Sequence, residues 1–271
     1  MPEKTHSEPI IRLDHVTKKF GSLTAVNDIS FEVRPGELFA FLGPNGAGKS
    51  TSIKMLTALL RPTSGTITLA GHDVAREPDS ARKAFGIVFQ DPSVDSELTA
   101  YENMELHAAL YGVPRSQRRS RINELLELME LEGRAKSLVK TFSGGMIRRL
   151  EIARGLLHHP KILFLDEPTL GLDTQTRNLL WAYVKKLNHD TDMTVFFTTH
   201  YLEEAEEVAG RIAIIDHGTI IAHGTVAELT ARTHTDSLED AYLKLTGTAI
   251  RDEKADPGSR MQMRAMRGLR R

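Results

Sequence analysis

The sequence predicts an α/β protein in which a mostly parallel sheet is covered by helices on both faces. Three observations carry this reading. An apolar run, a glycine loop and a helical pattern follow one another over residues 38–60. Apolar runs of strand length then alternate with helical patterns for most of the chain. One block, residues 92–160, breaks the alternation with helical spacing throughout and is expected to form an inserted lobe.

Residues 10–16 alternate in part between apolar and polar side chains and read as a strand closed off by Phe20-Gly21. Residues 29–33 form a second strand. Pro35-Gly36 then turns the chain into Leu38-Phe39-Ala40-Phe41-Leu42, an unbroken apolar run suited to a strand buried on both faces. After the glycine loop, Ile53, Leu56 and Leu60 recur at helical spacing. Residues 65–71 and 86–89 are further strands, the second ending at Gln90.

Inside the helical block, Thr99-x-x-Glu102 spells a capping box that opens a helix. Ile122, Leu125, Leu126 and Met129 mark the apolar face of the next. Phe142-Ser143-Gly144-Gly145-Met146 leads into a helix to about residue 158, with Met146, Leu150, Ala153 and Leu157 in register to pack. Strand 162–165 runs into Asp166-Glu167-Pro168, and a helix with Leu180, Tyr183, Val184 and Leu187 on one face follows. Strand 194–198 ends at His200. Residues 212–215 and 219–222 form a hairpin about Asp216-His217-Gly218. A short amphipathic helix carrying Leu238, Ala241, Tyr242 and Leu245 is opened by Asp236-x-x-Glu239.

With 271 residues, 40% apolar and 26% charged, the chain has the composition of a globular protein with a full core. A net charge of −1 argues against a general nucleic-acid binder. The absence of cysteine excludes disulfides, thiolate metal sites and a cysteine nucleophile, and fits a reducing compartment. No apolar run nears the ~20 residues needed to span a bilayer, and the polar start reads as no signal peptide. Residues 248–271 differ, with seven Arg or Lys against three acids; they read as a flexible basic tail, the rival being a segment that lies on anionic lipid.

The chemistry begins at Gly43-Pro44-Asn45-Gly46-Ala47-Gly48-Lys49-Ser50-Thr51, which reads G-x-x-x-x-G-K-[ST]. Glycines let successive backbone N–H groups curl around a phosphate, Lys49 reaches the β- and γ-phosphates, and the Ser50 hydroxyl suits Mg²⁺. A helix starting near Gly48 points its positive end at the same anion. Asp166 and Glu167 end a strand where a parallel sheet places carboxylates beside such phosphates. Asp166 is suited to hold Mg²⁺, and Glu167 to act as general base on the attacking water. Ser143 at a helix N-cap, followed by Gly144 and Gly145, leaves a helix N-terminus open to an anion.

With these motifs in this order, the sequence resembles an ATP-binding cassette (ABC) ATPase, the motor subunit of ABC transporters, over roughly residues 8–247. The resemblance implies a P-loop NTPase with an antiparallel β subdomain. The sheet parts would lie at about 8–91 and 161–224, the helical lobe at about 92–160 and closing helices at about 225–247. It further implies that Phe20 stacks on adenine, where Tyr is more usual, and that Gln90 contacts Mg²⁺ and the attacking water. His200 would bond the γ-phosphate, and Asp173, in Leu170-Gly171-Leu172-Asp173, would lie across a dimer interface. Two copies are implied to join head to tail around ATP, with Ser143 and Gly145 of one completing the other's site, and to dock on a separate polytopic membrane permease. Met146 and Phe142 depart from the commonest spelling, Gln and Leu. The Ser-Gly-Gly-Met form is similar to the daunorubicin-resistance branch of drug, polysaccharide and lipid exporters. The alternatives are a non-transport ABC ATPase and an importer subunit.

Overall fold

The computed structural model describes residues 8–247, so the basic tail lies outside the described residues. The chain opens with β1 (Ile11–Phe20), β2 (Leu23–Val33) and β3 (Leu38–Leu42), then α1 (Lys49–Leu56), β4 (Ser64–Leu69) and the two-residue β5 (His72–Asp73). Next come α2 (Pro78–Lys83), β6 (Phe85–Val88), α3 (Ala100–Leu110) and α4 (Arg115–Leu128). Two 3₁₀ turns at Glu132–Arg134 and Val139–Thr141 lead to α5 (Gly144–Gly155), β7 (Ile162–Asp166) and α6 (Thr174–Thr191). The chain closes with β8 (Thr194–Thr199), α7 (Leu202–Val208), β9 (Arg211–Asp216), β10 (Thr219–Gly224), α8 (Val226–Thr233) and α9 (Leu238–Thr246).

Six strands form one sheet in the order β10-β9-β3-β8-β7-β6, parallel except for the edge strand β10. A second, antiparallel sheet has the order β2-β1-β4-β5. The alternation of side chains along a strand divides the core in two. Phe39, Phe41, Phe164, Phe196 and Ile215 face α1 and the antiparallel sheet. Ala40, Leu42, Leu165, Phe197 and Ile214 face the other way and share one apolar cluster with Met104, Ile122, Leu125 and Leu150 of the helical block. Aromatic rings join the two sheets: Phe31 stacks on Phe39 at 5.5 Å, and Phe39 on Phe196 at 5.5 Å. Offset pairs of this kind add roughly 0.5–1.5 kcal/mol beyond area burial.

The strands expected at 10–16 and 29–33 are longer than the sequence implied. Bulges within and beyond the expected stretches, with His15 at φ 50° and Asp28 at φ 52°, interrupt the period-two pattern, and the extensions carry polar residues. The helix α2 starts at Pro78, a first-turn residue with its φ already set, but it is too short to show a periodicity. Helix α3 has its capping box, with Thr99 and Glu102 exchanging bonds. The cap of α9 is Ser237, which accepts from the Asp240 N–H, rather than Asp236. Helix α5 ends at Gly155, a turn earlier than read, and Met146 packs against the core.

Two glycines bring α5 against the sheet. A Cβ added to Gly86 of β6 would overlap the Gly155 carbonyl oxygen. Gly86→Ala should therefore cost about 1–3 kcal/mol, as overpacking does, read as a lower urea midpoint at unchanged slope. An unchanged midpoint would show that the helix can shift away freely.

Candidate active site

The glycine loop leaves a strand whose last four residues are fully buried. Gly46 and Gly48 take φ 80° and φ 110°, and a Cβ on Gly48 would press on the Ala25 carbonyl oxygen. Only glycine makes this curl without strain. The tip of the β9–β10 hairpin supports the loop from behind, where Gly218 N–H donates to the Ala47 carbonyl at 2.9 Å. Helix α1 then begins at Lys49.

Lys49 is buried. Its Nζ lies 2.7 Å from the Gly43 carbonyl oxygen, 3.1 Å from that of Pro44 and 3.1 Å from Glu167 Oε1. On its other side, Glu167 Oε2 is 3.2 Å from His200 Nδ1, close but misaligned for a full hydrogen bond. Burial pushes the Glu167 carboxyl up, and His200 and Lys49 together outweigh it, so the group sits below the usual range. Glu167 also adopts φ 46° without being glycine, a strained conformation that aims the carboxylate into the cleft.

Asp166 lies beneath. Thr198 Oγ1 donates to its Oδ1 at 2.6 Å and accepts from the Glu167 N–H at 3.0 Å. Ser50 also bonds to Asp166. Burial nevertheless pushes the Asp166 carboxyl above its ordinary range. Such a group gains from a cation.

Asn45, Gly46, Gly48, Lys49, Ser50, Thr51, Gln90, Glu167 and His200 converge on one open cleft of about 890 Å³. Phe20 stands at its rim, 48% exposed, with Lys18 Nζ 5.1 Å from the ring centre. A flat, accessible aromatic face there suits a planar base. Ser143, Gly144, Gly145 and Asp173 do not join this cleft. Ser143 caps α5 by accepting from the Met146 N–H at 3.3 Å, and with Gly145 it borders a separate hollow of about 70 Å³. Asp173 caps α6, accepting from Thr176 N–H at 2.9 Å and Thr176 Oγ1 at 2.7 Å.

Sequence reasoning missed several participants. Thr198 fastens the Asp166 carboxylate and the Glu167 backbone N–H, and only its place at a strand end beside Thr199 hints at it. Glu204 is buried and holds Thr199 Oγ1 at 2.9 Å and Thr169 Oγ1, tying the segment after Glu167 to the strand before His200. His217 and Gly218 look like an ordinary hairpin turn, yet they line the cleft.

A glycine loop between a parallel strand and a helix, facing carboxylates from the next strand but one, defines a P-loop nucleoside triphosphatase. Residues 26–170 match the ABC transporter family model. Over 243 residues the chain is 42% identical to the linearmycin resistance ATP-binding protein LnrL of Bacillus subtilis, covering 90% of this chain and 76% of that one. It is 45% identical over 219 residues to the daunorubicin/doxorubicin resistance ATP-binding protein DrrA of Streptomyces peucetius, covering 81% and 66%. The dimeric post-hydrolysis structure of the ATP-binding cassette MJ0796 bound to ADP and Pi superposes with a TM-score of 0.71 at 31% identity, over 79% of this chain and 98% of that one. The chain belongs to the ABC transporter family, as an ATP-binding and ATP-hydrolysing subunit. No helix among the described residues is long and apolar enough to cross a membrane.

Proposed function

We propose that the chain hydrolyses Mg-ATP between two head-to-tail copies and so drives export of a drug-like, lipid or glycan substrate through a separate polytopic permease. The observation that carries this is the division of the site. The glycine loop, Glu167 and His200 share one cleft, while the Ser143 helix cap opens elsewhere on the surface. A second copy related by two-fold symmetry can present that cap to the cleft, forming two equal sites. The dimeric arrangement named for MJ0796 supports it.

Lys49 and the loop amides grip the phosphates, and Phe20 stacks on adenine. Water attacks the γ-phosphorus, the bond to the β-phosphate oxygen breaks, and Glu167 takes the proton the water loses. His200 and Gln90 orient the γ-phosphate and that water. Ser143 and Gly145 of the second copy close the far side, and Asp173 lies along the seam. Ser50 and Asp166 offer hydroxyl and carboxylate oxygens that would hold Mg²⁺, a hard cation, which would supply positive charge against the phosphates. The 92–160 block is the lobe that meets the permease, which places the chain on the cytoplasmic face of the membrane.

The drug-resistance names of the relatives favour export. Tagged full-length chain, extracted in mild detergent from its own cells, should bring down a polytopic membrane protein. Inverted vesicles carrying the pair should take up daunorubicin only with ATP. Uptake into right-side-out vesicles instead would establish import, and recovery with no membrane protein would favour a non-transport ATPase.

A further inference from the structure

One face of α5 breaks the rule that core-facing positions are apolar. Arg148, Glu151 and Arg154 recur every third residue and are 5%, 0% and 5% exposed. Three charges at such spacing share a helix face. Taking them out of water is expensive, and a buried ion pair is poor evidence of a contribution to stability.

What the three charges hold is the irregular segment that begins with Gln90. Arg148 Nη1 donates to the Phe89 carbonyl at 2.5 Å and to Glu151 Oε2 at 2.9 Å, and its Nη2 donates to the Gln90 carbonyl. Glu151 Oε1 accepts from Ser93 N–H at 2.7 Å and Ser93 Oγ at 3.1 Å. Arg154 closes the ring, donating to the Ser93 carbonyl at 2.8 Å and to Ser93 Oγ at 2.6 Å. The main chain of the loop is thus bolted at residues 89, 90 and 93 to one helix, and Ser143 caps that same helix. The Gln90 side chain meanwhile remains exposed on the cleft wall.

We propose that Arg148, with Glu151 and Arg154, is a positioning residue for Gln90. The clamp fixes the Gln90 backbone to the helix that carries the Ser143 cap, so the amide is aimed when that helix meets nucleotide on the partner copy. The inference rests on the role given to Gln90 above. Arg148 touches no nucleotide; it acts through the loop.

The test is a double-mutant cycle in steady-state ATP hydrolysis by the full-length chain. Arg148→Met should lower kcat by roughly 10- to 100-fold, as a misplacement of about 1 Å does, and leave the KM for ATP within about twofold. Gln90→Ala should lower kcat comparably. The double variant should be no slower than the slower single one, because a misaimed amide and a missing one are equivalent losses. Arg148→Lys, which keeps the charge but serves fewer carbonyls, should be intermediate, and it carries the same cycle should Arg148→Met fail to fold. If the two losses multiply, Gln90 keeps its role and the positioning inference falls. If Gln90→Ala alone turns over at the wild-type rate, the role of Gln90 falls and the inference with it. A loss confined to melting temperature, with kcat intact, also overturns it.

Discussion

Glu167→Gln is expected to slow ATP hydrolysis by about 10²–10⁴-fold, the range for loss of a general base, while ATP still binds. The carboxamide keeps the shape of the side chain and cannot accept the proton. The wild-type group is well placed for the task. Burial alone would push its carboxyl up, but His200 and Lys49 hold it below the ordinary range, so it is an open carboxylate at neutral pH. The sign follows: a depressed acid contributes stability above its unfolded pKa and loses it as pH falls through the folded value. At neutral pH that contribution is present in the wild type and absent from the variant, which gives buried Lys49 only neutral acceptors, the Gly43 and Pro44 carbonyls and the new carboxamide oxygen. Glu167→Gln should thus melt lower than wild type without nucleotide and gain more from ATP, whose γ-phosphate supplies the missing anion. The gain follows ligand linkage and grows with ATP concentration. Normal hydrolysis by this variant, measured as phosphate release, would remove Glu167 from its role.

The second large effect belongs to the two halves of the divided site. Lys49→Ala removes a charge-assisted contact worth about 1.5–3 kcal/mol, so ATP affinity should fall by roughly 10- to 100-fold at about 1.4 kcal/mol per decade. It also removes one of the two partners, Lys49 and His200, that offset burial at the Glu167 carboxyl. Ser143→Arg should bind ATP in the cleft at wild-type affinity, because Ser143 is no part of that cleft, yet turn over at least 10-fold slower by fouling the helix cap that meets the partner. A fluorescent ATP analogue reads the first quantity and phosphate release the second. Equal loss of binding in both variants would mean that both residues face the same phosphates within one copy.

Much of this was legible before any coordinates. The buried run at 38–42, the glycine loop and the strand ending at Asp166-Glu167 declare themselves because a two-sided strand has no room for polar residues and a phosphate cradle has no room for Cβ atoms. What stayed hidden had physical reasons. The outer parts of β1 and β2 are edge-like and bulged, so polarity alternates irregularly. Thr198 and Glu204 act through hydrogen bonds that reach segments far apart in sequence, and spacing says nothing about those. The charges of α5 are the sharpest case. Arg148, Glu151 and Arg154 look like a solvated helix face, and only the path of the loop after Gln90 turns that face inward. Conversely, Ser143 could be placed on a helix cap from sequence, while its distance from the cleft, and the cap that Asp173 makes on α6, needed the fold.

The most direct measurement mixes full-length Lys49→Ala and Ser143→Arg chains in equal amounts and follows ATP hydrolysis. Each variant alone should be nearly inactive. In a mixed head-to-tail dimer, the Ser143→Arg chain supplies an intact Lys49 and the other an intact Ser143, so one of the two sites is whole. Activity should therefore reappear on mixing, rise with the square of total chain concentration where dimers are scarce, and disappear if Glu167→Gln is added to the Ser143→Arg chain. A mixture no more active than its two components would show that each copy builds its site alone, and the divided site would have to be abandoned.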